Sequence, residues 1–189
     1  MPANWRTHPK LEGRFHPDFP DDLQVIVHEG GPRLAKARPE LIWVRVTDGE
    51  DDLFTGTILN QPVGLTSVAA GSSIRFLVPK GGDYPLMVTE KYLRERPHWN
   101  IRACDKCGLT ELLDAPSDLV RAVFSPLRPR EVTVSFTALC LCGGILVVGA
   151  AGFDEEEEAS PGPEVPHQQT GWWKTWRSRL AALLARRRH

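Results

Sequence analysis

Leu41-Ile42-Trp43-Val44-Arg45-Val46, then Asp48-Gly49-Glu50-Asp51-Asp52, then Leu53-Phe54-Thr55-Gly56-Thr57-Ile58-Leu59: this stretch decides the fold class of the chain. Its first run is rich in β-branched and aromatic residues and alternates, with Trp43 and Arg45 on one face and Ile42, Val44 and Val46 on the other. Alternation with period two is the mark of a half-buried strand. The acidic, glycine-containing segment between the runs predicts a β-hairpin with a longer loop. That loop could bind a cation weakly, but a solvated turn accounts for it more simply.

Outward from the hairpin the same texture continues. Residues 23–28 read as a strand that ends at Gly30-Gly31-Pro32, and residues 73–78 as another that stops at Pro79. Residues 86–88 form a short strand, and residues 89–96 a brief helix before Pro97. Asn60-Gln61-Pro62 closes the second strand of the hairpin, because proline supplies no ladder donor. Residues 1–20, with Pro2, Pro9, Pro17 and Pro20, read as an irregular lead-in, and residues 21–97 as a mostly antiparallel β module.

The second half is organised around cysteine. The four cysteines of the chain occur as two tight pairs, Cys104-Asp-Lys-Cys107-Gly and Cys140-Leu-Cys142-Gly-Gly. Two short cysteine turns separated by an insert can deliver four thiolates to one tetrahedral ion, so the pattern points to structural zinc. Strands are expected over residues 131–137 and 145–148, whereas residues 117–124 are ambiguous between helix and strand. The order strand, cysteine turn, insert, strand, cysteine turn, strand is that of a zinc ribbon over residues 98–149. The second pair is one residue short of C-x-x-C, which threatens to leave one sulfur badly aimed, with His98 as a substitute ligand. The competing reading makes Cys140 and Cys142 buried strand residues and Cys104 and Cys107 a free or redox-active dithiol. A redox C-x-x-C usually opens a helix in a βαβ unit, and none is visible here.

Apolar residues make up 41% and charged residues 25% of 189, and the formal net charge is −1. That excludes a globally basic nucleic-acid binder but not a local basic surface. From residue 154 onward, six acids precede six bases. Residues 150–170 read as an acidic, Pro/Gly-rich, disordered linker, and residues 171–189 as a basic amphipathic helix. On a helical wheel Trp172, Trp173, Trp176, Leu180, Leu183 and Leu184 fall within an arc of about 120°. Arg177, Arg186, Arg187 and Arg188 supply the charge. Such a segment fits an anionic membrane surface, a partner's groove, or folding back on the body.

No G-x-S-x-G, P-loop, post-strand G-x-G-x-x-G, H-E-x-x-H or EF-hand pattern occurs, and the six histidines are scattered. The first residues carry no apolar signal-peptide core, and no run approaches the ~20 apolar residues of a spanning helix. A cytoplasmic, reducing location is the expectation, and there paired cysteines more often bind metal than form disulfides.

Trp43-Val44-Arg45-Val46, residues 54–62 and Gly71-Ser72-Ser73-Ile74-Arg75-Phe76 together resemble an uncharacterised bacterial domain-of-unknown-function family. Its pattern is W-V-x-V, F-x-G-x-[LI]-x-N-x-P, then G-x-x-[IV]-x-F. The resemblance covers about residues 38–90 and implies a small β-rich module with no assigned reaction. The family's Asp-Trp after the last strand is Asp83-Tyr84 here. The cysteine turns resemble zinc-ribbon knuckles generally.

The expectation is therefore a mainly β (α+β) chain: an antiparallel module, a zinc-ribbon-like unit, a linker and a C-terminal amphipathic helix. Its expected role is a non-enzymatic, zinc-binding interaction protein that recognises a partner or an anionic membrane surface through the helix. The alternatives are a nucleic-acid binder using ribbon and arginine tail, and a small thiol-dependent enzyme.

Overall fold

A computed structural model describes residues 4–29, 38–123 and 134–152, all within the unit Met1–Phe153. The linker and the C-terminal amphipathic helix expected over residues 150–189 lie, from residue 153 on, outside the described residues. The architecture is mainly β: two sheets and, among the described residues, two short α-helices.

The larger sheet contains β1 (Phe15–His16), β2 (Phe19–Val27), β3 (Glu40–Glu50), β4 (Leu53–Ile58), β5 (Ser73–Leu77) and β6 (Leu86–Val88) in sequence order. Its neighbours are antiparallel, and β6 also bridges β2 in parallel, with Ile26 opposite Leu86 and Ile26 N–H donating to Pro85 O at 2.9 Å. Strands β2 to β6 thus close into a five-stranded barrel. Strand directions alternate around a meander, so an odd-numbered ring must have one parallel seam. Closure removes the open edges that a flat sheet would present.

Alternation sorts the side chains as the sequence suggests. Ile42, Val44 and Val46 of β3 are buried, Arg45 is exposed and Trp43 half-buried. Phe54 and Ile58 of β4, Ile74 and Phe76 of β5, and Leu23, Val25 and Val27 of β2 complete the interior. Phe54 and Phe76 are register partners whose rings stack with centroids 5.5 Å apart. Gly56 is needed where it stands, since a Cβ there would lie 2.4 Å from Val44 Cγ1 and 2.8 Å from the Arg45 carbonyl. The β3–β4 register shifts beside it, between Val46 and Asp48.

Two expectations are corrected. The hairpin loop is tight rather than long: Glu50 pairs with Leu53, leaving Asp51 and Asp52, and Asp51 takes φ 51°, a conformation Asp tolerates better than most residues. Residues 4–18, expected to be irregular, form a 3-10 turn (Asn4–Thr7) and β1, and they bury Trp5 and Leu11 in the barrel core. Prolines break periodicity without preventing burial.

The smaller sheet has the order β7-β9-β8, from β7 (Trp99–Arg102), β8 (Ser135–Leu139) and β9 (Ile145–Ala150), all antiparallel. The strand expected over residues 131–137 is described only from residue 134 and runs to Leu139. The ambiguous segment is helical, α2 (Pro116–Val123). Proline suits a first helical position, and the Glu95 carboxylate accepts from Ser117 N at 2.9 Å and Ser117 Oγ at 2.7 Å.

One apolar cluster joins barrel and smaller sheet. Strand β6 is buried on both faces: Met87 points into the barrel, while Leu86 and Val88 pack with Leu109, Leu112, Leu113, Phe136, Leu146 and Val148. Outward-facing Ile26, Leu53 and Leu77 border the same cluster. Helix α1 (Glu90–Glu95), capped by Thr89, inserts the fully buried Tyr92 there. The Tyr92 hydroxyl donates to Glu111 and accepts from Leu112 N at 3.2 Å, while Arg96 Nε holds the same carboxylate at 2.8 Å. Burial, then the Glu111 charge, pushes the phenol pKa well above its ordinary range. Tyr92→Phe leaves Glu111 and the Leu112 amide short of a partner, and is expected to cost about 1–3 kcal/mol in urea unfolding.

Candidate metal centre

Each cysteine turn grows out of a strand end of the smaller sheet. After β7, Cys104 N–H donates to Leu109 O at 2.8 Å and Gly108 N–H to Cys104 O at 3.0 Å. After β8, Cys140 N–H donates to Gly144 O at 2.9 Å and Gly143 N–H to Cys140 O at 3.0 Å. The two turns share one plan. In both, the glycine after the second cysteine has positive φ, 74° at Gly108 and 77° at Gly143, a region costly for residues with a Cβ. The missing residue of C-x-C shortens the second turn without altering its hydrogen-bond pattern.

The turns face each other and bring all four sulfurs together. Cys104 Sγ lies 3.5 Å from Cys142 Sγ, and Cys107 Sγ lies 3.5 Å from Cys140 Sγ. All four lie within 4.8 Å of one another, so the group could hold a metal ion. Among the described residues no other such cluster of His, Cys, Asp or Glu occurs. Cys142 is therefore not misdirected by the short spacing. His98 does not join the group: it ends the 3-10 turn Arg96–His98 and is separated from the first cysteine turn by β7, roughly 13 Å of extended chain.

Burial grades the four cysteines, with Cys104 and Cys140 in the apolar cluster, Cys107 intermediate and Cys142 exposed. Burial pushes the Cys140 thiol up to about 12. Burial also raises Cys104, but N–H groups of Cys107 and Lys106 outweigh it and hold that thiol down to about 7. Binding of a cation by such a group would have to displace thiol protons, and the burial of Cys140 opposes that loss.

Residues beyond the cysteines lock the two turns to each other. Asp105 Oδ1 accepts from Ile145 N at 2.8 Å, and Lys106 Nζ donates to Gly143 O at 3.0 Å. Gly144 allows the approach, since a Cβ there would lie 2.5 Å from both Cys104 Sγ and Asp105 Oδ1. Sequence reasoning overlooked Asp105 and Lys106; their only signal is that both lie inside the first turn. Asp105→Ala is expected to weaken metal binding by about 10–100-fold in chelator competition, the usual effect of losing an outer support.

Comparison with protein-family models, curated proteins and solved structures finds no match to this chain. No helix among the described residues is long and apolar enough to cross a membrane. Trp172, Trp173, Trp176, Leu180, Arg177, Arg186, Arg187 and Arg188 lie outside the described residues.

Proposed function

We propose that Cys104, Cys107, Cys140 and Cys142 bind one structural zinc ion in a ribbon-like unit of a cytoplasmic, non-enzymatic interaction protein. The observation that carries the reading is the sulfur cage. A tetrahedral ion with Zn–S bonds of about 2.3 Å sets its sulfurs about 3.8 Å apart, and the two cross pairs stand at 3.5 Å with every separation below 4.8 Å. Four cysteine ligands fill the tetrahedron and leave no place for a reactive water, so the ion supports folding rather than chemistry. The family resemblance of residues 38–90 belongs to the same proposal and adds no reaction to it. Native mass spectrometry of the full chain purified without chelator tests the reading: one zinc per chain is expected, and a metal-free chain or a bound iron would overturn it.

Recognition by this protein is proposed to involve the basic aromatic pattern of residues 171–189, directed at a partner or an anionic membrane surface. Flotation with anionic vesicles at low and high salt tests the membrane version, which fails if the chain stays with the protein fraction in both.

A further inference from the structure

The four sulfurs differ in what reaches them and in what stands beside them. Cys142 is exposed and Cys107 intermediate, whereas Cys104 and Cys140 are buried in the apolar cluster. The close pairs cross between the turns, Cys104 with Cys142 and Cys107 with Cys140, each at 3.5 Å. Each accessible sulfur therefore has a buried one next to it on the opposite turn. A small polar oxidant such as peroxide meets the outer sulfur of a pair first, while the inner sulfur is in place to resolve the product. That arrangement favours a disulfide over further oxidation of the same sulfur. The chain has four cysteines, so no thiol elsewhere in it competes. Spacing along the sequence suggests a different pairing, because a redox-active C-x-x-C would join Cys104 to Cys107.

The frame that holds the turns together does not depend on sulfur. Asp105 Oδ1 accepts from Ile145 N at 2.8 Å, and Lys106 Nζ donates to Gly143 O at 3.0 Å. Gly144 leaves Cys104 Sγ unobstructed on the side of the second turn, since a Cβ there would lie 2.5 Å from it. Each cross pair has to close by about 1.5 Å to reach the disulfide bond length of about 2.05 Å. A bridge then spans the same two turns that a shared ion would, and constrains the unfolded chain as the ion does.

We propose that the four-cysteine centre is a peroxide-driven switch that exchanges a zinc ion for two disulfides between the turns, Cys104–Cys142 and Cys107–Cys140. The proposal rests on the zinc reading above, in which the sulfurs are thiolates. The Cys142 thiolate attacks a peroxide oxygen, the O–O bond breaks, and a sulfenic acid forms as hydroxide leaves. Cys104 attacks that sulfur, the S–S bond forms, and a second hydroxide leaves; both hydroxides take up protons as water. Two cysteines are oxidised and one peroxide is reduced. Cys107 and Cys140 consume a second peroxide in the same way. Bridged sulfurs are no longer thiolate ligands, so zinc is released while β7, β8 and β9 stay joined.

The test adds hydrogen peroxide to the zinc-loaded full chain beside a weak chromophoric chelator that leaves the untreated chain loaded. Release is expected to need about two peroxides per chain and to give a product about 4 Da lighter than the thiol form. Cleavage after Lys106 parts Cys104 from Cys107, and cleavage after Leu141 parts Cys140 from Cys142, so peptide mapping assigns the bridges. Amide protection in β7–β9 should survive oxidation, and dithiothreitol with zinc should restore one ion per chain. Bridges within a turn, Cys104–Cys107 or Cys140–Cys142, overturn the proposal. So do sulfinic acids in place of disulfides, or loss of β7–β9 protection once the bridges have formed. Zinc retained under excess peroxide overturns the switch alone, whereas a chain that never binds zinc overturns the reading beneath it and the switch with it.

Discussion

A chain carrying Cys104→Ser is expected to hold no zinc and to lose amide protection in β7, β8 and β9 while β3 and β4 keep theirs. Cys104 and Cys140 are at once proposed ligands and members of the apolar cluster. The sheet they terminate has three strands of four to six residues, too few to stand alone. Metal binding is folding free energy for such a unit, about 10–16 kcal/mol in isolated zinc-finger peptides. Less is at stake here, because Leu86, Val88 and Tyr92 lend the smaller sheet part of a shared core. A loss above about 4 kcal/mol, the size reserved for removing a metal or gutting a core, is the expected outcome. Hydrogen exchange separates the regions, reading the β7–β9 ladder at Ile101 and Val148 against the β3–β4 ladder at Val44 and Ile58. A strong chelator added to the unmodified chain should reproduce the pattern. Zinc lost with β7–β9 protection intact would show that the ion does not hold the sheet, and one zinc retained per chain would show that Cys104 is dispensable as a ligand.

Legibility followed the range of the interactions involved. The alternation of β3 and β4 is a local signal, and the buried set Ile42, Val44, Val46, Phe54 and Ile58 follows from it. The cysteine turns are local too: glycine after cysteine, twice, specifies two turns of one plan. What brings the turns together is not local. Asp105 reaches Ile145 across 40 residues, and nothing in Cys-Asp-Lys-Cys marks that aspartate as the tie. Barrel closure joins Ile26 to Leu86 and the His28 ring to Met87 O at 3.0 Å, contacts that no periodicity announces. Trp5 and Leu11 enter the core from a proline-rich segment because a closed barrel has an end to cover, a need that exists only once the barrel is formed. Helix α2 was ambiguous because eight residues barely express a period, and its start depends on Glu95 of another helix.

The contact between barrel and metal turn should be the most sensitive point in the molecule outside the cysteines. Gly81 has φ +70°, and a Cβ there would lie 2.2 Å from the carbonyl carbon and oxygen of Gly108 and 2.6 Å from Leu109 N. These are backbone atoms that cannot rotate away. Gly108 is itself held, with φ +74° and its N–H donated to Cys104 O, and next door Thr110 N–H donates to Lys80 O at 3.1 Å. Gly81→Ala must therefore push the first cysteine turn off the barrel, adding an overpacking cost of about 1–3 kcal/mol to about 1–2 kcal/mol of left-handed strain. Gly82→Ala is the matched control. Its φ of +78° imposes the same strain, but its Cβ would meet only the tip of Leu109, Cδ1, at 3.3 Å. Urea midpoints should fall in both variants and further in Gly81→Ala. Zinc affinity in chelator competition should fall in Gly81→Ala alone, because only there does the added methyl displace the turn that carries Cys104 and Cys107. Equal zinc affinities in the two variants would mean that the turn keeps its shape without the barrel behind it. The smaller sheet's order would then owe its origin to the proposed ion and its own strands, with the Gly81–Gly108 contact merely joining two parts already formed.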